Sequence, residues 1–381
     1  MLQHVNSLVE GHTVAEINLA ALRSNVQALK NKIDHRIFLA VIKTDAYGHG
    51  IIPIAKEALK AGADRLGVTT VEEGILLRQN GIYIPIHILS TITPEQAEYV
   101  VRYRLIASIS SEYTARAISK EAVKQNQSAS VHLKVDTGLH RFGIDPLKAI
   151  EFCHHCYYLP HLFWEGIYTH FSSADEGEWD TTEKQFQLFM DTVKNLEKKQ
   201  FYFPLKHVGA STITIERKDM HLDMVRPGIA LFGYHPAVRQ RNIVTLKPVM
   251  TLKTKLVLKR SLAANSQVGY GGDYVTKGQE TIGIIPIGHG DGYKRRLSNN
   301  GHVLIRGKRV EIVGTISLDQ TFINITNLID AKEGDEVVLI GRQGQEEISA
   351  RDIADWIHSN VDEVLASLMY RIKRKYIDEF S

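Results

Sequence analysis

The sequence predicts an α/β protein of two domains, a (β/α)8 TIM-like barrel followed by a mostly β C-terminal domain. Three observations support this fold class. Between about residues 14 and 235, short β-branched runs alternate with segments of helical period, which is typical of βα units around a parallel sheet. About eight such units in about 220 residues fit a closed barrel better than an open sheet. Beyond about residue 234, β-rich runs follow one another without comparable helices.

The barrel strands are expected where short apolar, β-branched runs occur. In chain order these runs are 14–19, 37–43, 65–69, 86–90, 105–109, 130–136, 163–170, 207–211 and 223–225. Apolar residues at helical spacing predict helices at 22–32, 51–61, 115–124 and 183–198. No Gly-x-Gly-x-x-Gly sequence opens the first unit, so a dinucleotide-binding fold is not favoured.

The second domain is expected to begin after a short linker. Pro236 and the polar run 239–242 mark this linker, and we place the domains at 1–238 and 239–381. Strands of the second domain are predicted at 249–258, 281–287, 302–305, 310–316, 321–325 and 336–340. Two late helices are predicted at 350–358 and 362–368.

Length and composition narrow the class of protein. A chain of 381 residues exceeds the size at which one hydrophobic core usually stops growing, which agrees with two domains. The formal net charge is only +3 and no extended basic patch stands out, so no nucleic-acid partner is expected. No apolar run reaches the length of a membrane span and the N-terminus does not resemble an export signal. We therefore expect a cytoplasmic protein without a membrane partner.

The only two cysteines are Cys153 and Cys156, with His161 nearby. This group could form a redox pair or a metal site. No second cysteine pair accompanies it, so no metal is expected.

Several predicted barrel strands end in residues suited to chemistry. Because the active site of such a barrel lies at the carboxyl ends of its strands, Lys43, Lys134, His170 and Arg226 are expected at one rim. A lysine held against apolar walls becomes nucleophilic toward an aldehyde. Arg226 precedes a predicted helix whose backbone N–H groups favour a phosphate, and Ser211 could add a hydroxyl. Lysine, arginine and a phosphate cradle together indicate a pyridoxal phosphate site.

Eight segments along nearly the whole chain carry a more specific resemblance. They are AVIKTDAYGHG (40–50), HLKVDTGLHRFG (132–143), EGIYTHF (165–171), MVRPGIALFG (224–233), VGYG (268–271), IPIGHGDGY (285–293), GTISLDQ (314–320) and SLMYR (367–371). On these segments the sequence resembles the bacterial alanine racemases, a family of fold-type III pyridoxal phosphate enzymes. Their order and spacing make the resemblance strong, whereas any one segment alone would be weak.

The resemblance implies an isomerase that interconverts L- and D-alanine with pyridoxal 5'-phosphate by a two-base mechanism. Lys43 would form the Schiff base with the cofactor. Tyr270 would be the second acid/base and would reach in from the partner subunit of a homodimer. One base on each face of a planar carbanion is what inverting a stereocentre needs. D-alanine biosynthesis for peptidoglycan is one implied role, beside catabolism and a spore function.

The resemblance also implies the cofactor contacts. Arg226, supported by His170, would hydrogen-bond the pyridine nitrogen, which stays unprotonated because a guanidinium does not give up its proton. The other cofactor-binding residues implied are Tyr47, Ser211, Tyr370, Gly228 and Ile229.

The substrate carboxylate is expected to meet Arg141 and, from the partner subunit, Leu318 with the supporting Asp319. Lys134 matches a position often carbamylated in the family, where an anion beside Arg141 would orient that arginine.

Three departures from the family pattern leave the substrate open. His289 stands where tyrosine is usual, Thr315 in place of an arginine and Leu318 in place of a methionine. These positions belong, by resemblance, to the substrate corridor and pocket, so racemisation of serine or of a broader range of small amino acids is an alternative.

Two alternatives lie outside racemisation. A decarboxylase of the same architecture would pair the pyridine nitrogen with a carboxylate and carry a cysteine in the β domain. Here Arg226 takes the first role, and 235–381 contain no cysteine. A non-enzymatic pyridoxal phosphate carrier would need only the barrel, so the second domain with Tyr270 argues against it.

Overall fold

The structure, a computed structural model, describes residues 11–379. They divide into two compact units. The first, which we call the barrel unit, comprises Ala21–Ala46 and Ile51–Lys247. The second, the β unit, comprises the described residues up to Ala20, the segment Tyr47–Gly50 and the described residues from Pro248 onward.

Eight parallel strands form the sheet of the barrel unit. In sheet order they are Leu205–His207, Leu162–Tyr168, Ala129–Lys134, Ile106–Ile109, Ile86–Ile88, Arg65–Val68, Ile37–Val41 and Met224–Val225. Two backbone hydrogen bonds join the last strand to the first, from Asp223 N to Lys206 O at 3.0 Å and from Arg226 N to Gly209 O at 2.8 Å. The sheet therefore closes, and the predicted (β/α)8 barrel is confirmed.

The helices of this part of the chain alternate with the strands. They are Leu19–Lys30, Lys43–Gly48, Ile51–Lys60, Val71–Gln79, Ala97–Arg102, Glu112–Lys124, Ala149–Cys156, Trp179–Lys198 and Ser211–Glu216. The four predicted helices are present with shifted ends. Local chemistry explains some of the others: before Val71–Gln79, the Thr70 hydroxyl accepts the Glu73 N–H at 3.2 Å while the Glu73 carboxylate accepts the Thr70 N–H at 3.3 Å. This reciprocal cap satisfies two backbone donors at the helix start.

Short 3-10 helices occupy several of the connections. In the barrel unit they are Pro94–Gln96, Pro146–Lys148, Lys218–Met220, Ile229–Phe232 and Val238–Asn242. The run 239–242, which the sequence predicts as a linker, is part of the 3-10 helix Val238–Asn242 and belongs to the barrel unit.

The β unit contains three sheets. The largest has, in order, Lys308–Glu311, His302–Ile305, Glu336–Gln343, Met250–Lys255, Val14–Asn18 and Lys373–Ile377, with Glu346–Ile348 added beside Glu336–Gln343. The others are Leu258–Leu262 with Glu280–Ile285 and Thr321–Asn324, and the pair Gln267–Val268 and Tyr274–Val275. Its α-helices are Ala350–Trp356 and Val361–Ala366, and its 3-10 helices are Tyr270–Gly272, His289–Asp291 and Arg295–Leu297. The predicted mostly β second domain is confirmed.

One strand prediction is wrong in its assignment. The run 14–19 was expected to open the barrel, but the strand Val14–Asn18 lies in the large sheet of the β unit. It pairs antiparallel with Met250–Lys255 and parallel with Lys373–Ile377. Its side chains alternate between buried and partly exposed, as in a sheet with one face on a core, whereas barrel strands are buried on both faces.

The compact units also divide the chain differently from the predicted domains 1–238 and 239–381. The junction lies between Lys247 and Pro248, and the described residues before Ala21 group with the β unit. Across residues 11–379, no helix combines the length and apolar character that crossing a membrane requires.

Candidate active site

Lys43 leaves the carboxyl end of the barrel strand Ile37–Val41, as the sequence predicted. The Ile42 N–H before it donates to Gly67 O of the neighbouring strand at 2.8 Å. Immediately after Lys43, residues 44–47 have φ between 51° and 55°, a left-handed turn that is unfavourable for L-residues. The half-buried lysine is therefore followed by a backbone path with little freedom.

Neighbouring groups hold this left-handed turn. The Asp45 carboxylate accepts the Ile51 N–H at 2.8 Å, and the Asp45 N–H donates to the Glu73 carboxylate at 3.2 Å. Gly48, with φ +78°, ends the turn within the β unit, where a Cβ would lie 2.3 Å from Leu365 O. The turn is fixed by contacts outside itself.

Lys134 ends another barrel strand and is 3% exposed. Its Nζ lies 5.4 Å from the ring centroids of both Phe142 and Tyr168. Burial, followed by the Arg141 and Arg226 cations, lowers the pKa of Lys134 to about 8. A substantial fraction of this amine is therefore neutral near physiological pH.

The Asp136 carboxylate organises the loop after Lys134. Asp136 Oδ1 accepts the backbone N–H groups of Gly138, Leu139 and His140 at 3.0 to 3.1 Å. The chain then returns, and Ile144 N donates to Lys134 O at 2.8 Å. Asp136 thus shapes the loop that carries Arg141.

Arg226 follows the last barrel strand and is 4% exposed. One of its NH1 protons is donated to His207 Nδ1 at 2.8 Å. NH2 donates to Thr169 O at 2.9 Å, Val208 O at 3.2 Å and His170 Nδ1 at 3.3 Å. The described part of the chain gives no acceptor to its Nε–H or to its second NH1 proton, so the site retains cationic donors for a ligand.

His170 stands among the cations of this rim. Burial, followed by the charges of Arg226, Arg141, Lys134 and Lys43, lowers the pKa of His170 well below its ordinary value. The imidazole is therefore neutral, and its Nδ1 accepts from Arg226. These five residues, all predicted for the site, are brought together by the barrel.

Ser211 contacts the segment after Arg226, where the sequence predicted a phosphate to bind. The Ser211 oxygen accepts the N–H of Gly228 at 3.0 Å and the N–H of Ala230 at 3.4 Å. Among the described residues this hydroxyl has no acceptor for its proton, which is therefore available for a ligand. Ile229 begins the 3-10 helix that follows.

A cavity of about 170 Å³ lies at this rim, and Arg141 and His170 are among the residues that line it. Ala210, Thr212 and Asp175 line it as well, and the Thr212 hydroxyl donates to Asp175 at 2.6 Å. The space is small and is lined by both charged and apolar side chains.

The other predicted site residues lie in the β unit. Tyr270, in a turn between the glycines Gly269 and Gly271, is 72% exposed, and Tyr370 is 71% exposed. Leu318 is 55% exposed. Tyr47, by contrast, is buried in the segment Tyr47–Gly50.

Asp319 is paired with Arg371, whose NH2 lies 2.6 Å from Asp319 Oδ1. The same guanidinium donates through Nε to Asp291, and Asp291 in turn accepts the Gly288 N–H at 2.9 Å. These contacts give the Asp291 carboxylate a structural role in its own turn. Through Arg371, this turn also fixes Asp319 next to Leu318.

Sequence reasoning missed a group of buried polar residues inside the barrel. His87, His132 and His207, which we call the histidine cluster, have ring nitrogens within 4.8 Å of one another and are almost fully buried. Glu165 accepts a hydrogen bond from His132 Nε2 at 3.0 Å. The available signal was a histidine or glutamate in the middle of an otherwise apolar strand, as in Ile86–Ile88.

Comparison with known proteins agrees with this arrangement. Residues 17–236 match the family model described as alanine racemase, N-terminal domain, and residues 249–376 match alanine racemase, C-terminal domain. The alanine racemase of Halothermothrix orenii is 39% identical over 373 residues, which is 98% of each chain.

Solved structures give the same result. An alanine racemase from Clostridium difficile 630 superposes with a TM-score of 0.92 at 35% identity, covering 97% of each chain. An alanine racemase from Bartonella henselae, described with covalently bound pyridoxal phosphate, gives a TM-score of 0.87 at 27% identity over 97% of this chain and 100% of that chain. The chain belongs to the alanine racemase family.

Proposed function

We propose that this protein interconverts L- and D-alanine with pyridoxal 5'-phosphate by a two-base mechanism. The observation that carries the proposal is the cationic rim of the barrel, with Lys43 at a strand end and Arg226 held at NH1 and NH2 by acceptors while its Nε–H has none in the described residues. Family membership supports the reaction, and the Bartonella relative supports the cofactor.

The donors of the rim fit this cofactor. Arg226 has a spare Nε–H for a ring nitrogen, and the Ser211 hydroxyl has a spare proton for a phosphate oxygen. On the basis of the family pattern, we assign Gly228, Ile229 and Tyr370 to the phosphate and Tyr47 to the cofactor side of the site. When bound, the cofactor supplies an electron sink for the electrons released as the substrate α-proton leaves.

Arg226 limits that sink. A guanidinium donates hydrogen bonds and accepts none, and burial lowers its pKa only to about 10, so it stays charged. A ring nitrogen that accepted a hydrogen bond from Arg226 would remain unprotonated and would withdraw electrons weakly. We infer that Arg226 thereby suppresses side reactions, with the neutral His170 holding its NH2 group.

Racemisation needs a proton acceptor on one face of Cα and a donor on the other. We assign Lys43 to one face and Tyr270 of a second subunit to the other. Arg141 binds the substrate carboxylate with Leu318 and Asp319 of that second subunit, and Lys134 supports Arg141. The high exposure of Tyr270 and Leu318 supports a role outside their own chain.

The proposed assembly is a homodimer in which the C-terminal domain of one subunit, predicted at 239–381 and found from Pro248 onward, completes the site at the barrel rim of the partner. Mixing Lys43→Ala with Tyr270→Phe tests it directly. Shared sites restore about a quarter of wild-type activity, because about half of the dimers are mixed and each carries one intact site of two. No recovery after verified subunit exchange would contradict shared sites.

We propose a cytoplasmic location and a role in D-alanine biosynthesis for peptidoglycan, without nucleic-acid or membrane partners. The two cysteines, Cys153 and Cys156, are buried free thiols, which agrees with a reducing compartment. The small net charge agrees with the absence of a polyanionic partner.

A chiral-product assay with L-alanine, L-serine and a wider amino-acid panel tests the reaction. Dominant alanine turnover, lost in Lys43→Ala, supports the proposal. Serine turnover that equals or exceeds alanine turnover would favour the broader racemase. In that case the smaller Thr315, whose hydroxyl donates a hydrogen bond to Asp273, would leave room where an arginine is usual in the family. A protein that binds the cofactor but racemises nothing would contradict both.

A further inference from the structure

The histidine cluster lies beneath Arg226 in the core of the barrel. His207 Nδ1 is 2.8 Å from Arg226 NH1, and His207 Nε2 is 2.8 Å from His132 Nδ1. His132 Nε2 is 3.0 Å from Glu165 Oε2, and Glu165 Oε1 accepts from Arg65 at 2.9 Å. A continuous row of hydrogen bonds therefore links the site arginine to a carboxylate.

Chemistry fixes the direction of every proton in this row. A guanidinium only donates, so His207 Nδ1 must be the acceptor. Burial holds the pKa of His207 well below its ordinary value, so this ring is neutral and its single proton sits on Nε2. That proton is donated to His132 Nδ1, and the His132 proton on Nε2 is donated to Glu165. Each donor therefore has one acceptor, and every hydrogen bond of the row points from Arg226 toward Glu165.

The same protonation rules out the cluster as a metal site. A metal ion at His207 Nε2 would need the lone pair at the atom that carries the proton. Moving that proton to Nδ1 would set two N–H groups against each other, because Arg226 NH1 donates there. His87 is nearby but outside the row: its Nε2 contacts the Ser108 hydroxyl at 3.0 Å, and its Nδ1 has no partner in the described residues.

In the part of the chain that the structure describes, no carboxylate accepts a hydrogen bond directly from Arg226. Within residues 11–379 its acceptors are two carbonyl oxygens and two neutral imidazoles, although its guanidinium is almost fully buried. Burying a cation without a counter-ion is costly. Glu165 reaches it through two polarised imidazoles, since an imidazole that donates to a carboxylate becomes a better acceptor at its other nitrogen.

We propose that Glu165 and His132 are positioning residues for Arg226, acting through His207. The row fixes the guanidinium plane by a strong acceptor at NH1 and so keeps Nε–H presented for the cofactor ring nitrogen. The functional consequence rests on the proposed pyridoxal phosphate chemistry, whereas the row itself does not.

Glu165→Gln tests the proposal at constant side-chain size. The amide removes the charge that polarises His132, so we expect kcat to fall about tenfold while KM changes less than about twofold. The visible absorbance of the bound cofactor should shift, because the hydrogen bond to its ring nitrogen weakens. The matched control is Glu57→Gln, which removes the charge of a glutamate that is also paired with an arginine, Arg23, at 2.6 Å, but lies outside the row.

A fold effect and a positioning effect give different results. If both variants lose thermal stability alike but only Glu165→Gln shifts the absorbance and kcat, Glu165 acts on Arg226. A folded Glu165→Gln protein with unchanged absorbance and kcat would overturn the proposal. So would equal changes in both variants.

A second measurement needs no activity. In the protein without cofactor, labelled with 15N-histidine, His132 and His207 should each show a protonated Nε2 and a bare Nδ1, with signals assigned through His132→Gln and His207→Gln. A His207 protonated at Nδ1, or one equivalent of tightly bound metal per chain, would overturn the row. If the wild-type protein fails to racemise alanine, the proposed function fails, yet this measurement still decides on the row.

Discussion

Replacing Lys134 by alanine tests whether this lysine acts as a negatively charged carbamate rather than as an amine. With a pKa of about 8, about one Lys134 side chain in ten is neutral at pH 7, against about one in three thousand at the ordinary value of 10.5. A neutral amine adds CO2 to form a carbamate and releases one proton. Lys134 is therefore about 300-fold more available for this reaction than an exposed lysine. The product would place an anion in the field of Arg141.

We expect Lys134→Ala to lower kcat/KM by about 10- to 100-fold, because Arg141 loses the anion that orients it. Acetate or another small carboxylate should restore much of the activity, and the effect should saturate with concentration. Chiral chromatography of the alanine product measures both results. Lys43→Ala, treated with the same carboxylates, is the control for unspecific stimulation.

The wild-type protein offers an independent readout of the carbamate. In buffer with 13C-bicarbonate, a carbamate carbon signal should appear in the wild type and be absent from Lys134→Ala. Undiminished activity of Lys134→Ala without any effect of carboxylates would refute the reasoning. A wild type without the carbamate signal would refute it as well.

Three further outcomes are expected. Lys43→Ala should lower racemisation more than about 1,000-fold and remove the absorbance of covalently attached cofactor; retained turnover would contradict its assigned role. Gly292→Ala should lower the thermal midpoint by several degrees more than Gly334→Ala. Both glycines have a positive φ, +89° at Gly292 and +94° at Gly334, but only at Gly292 would a Cβ clash with backbone, 2.0 Å from Ser367 O. Equal midpoints would contradict the clash. Because burial lowers the pKa values of the histidine cluster below 6.5, unfolding takes up protons in acid. The free energy of unfolding should fall by up to about 1.4 kcal/mol per histidine and pH unit below pH 6.5, and a midpoint that rises on acidification would contradict this.

The barrel could be predicted because its strands show the apolar pattern of a parallel sheet that is buried on both faces. Parallel strands covered on both sides are nearly continuous apolar runs, and Ile37–Val41 is buried at every position but the first. Val14–Asn18 alternates instead, with Ala15 and Ile17 buried and Glu16 turned to Lys253 at 2.9 Å. That alternation was visible in the sequence and marks a strand with one covered face. The partner strands, far away along the chain, could not be found from it.

The candidate site divides in the same way. Lys43, Lys134 and Arg226 could be placed because strand ends of a barrel meet at one rim. Glu165 and the histidine cluster could not, because their partners lie on different strands and meet only when the sheet closes. A single histidine inside an apolar strand indicates that a hydrogen-bond partner exists but does not identify that partner.

The orientation of Lys43 depends on the left-handed turn at 44–47 that follows it. Four consecutive L-residues at positive φ cost about 4 to 8 kcal/mol relative to ordinary backbone. Excised as a peptide, or grafted onto another barrel, the same sequence would relax to a right-handed or extended form and point its lysine elsewhere. The geometry of this lysine is therefore a property of the whole chain, and a motif transplant would carry over the residue without its direction.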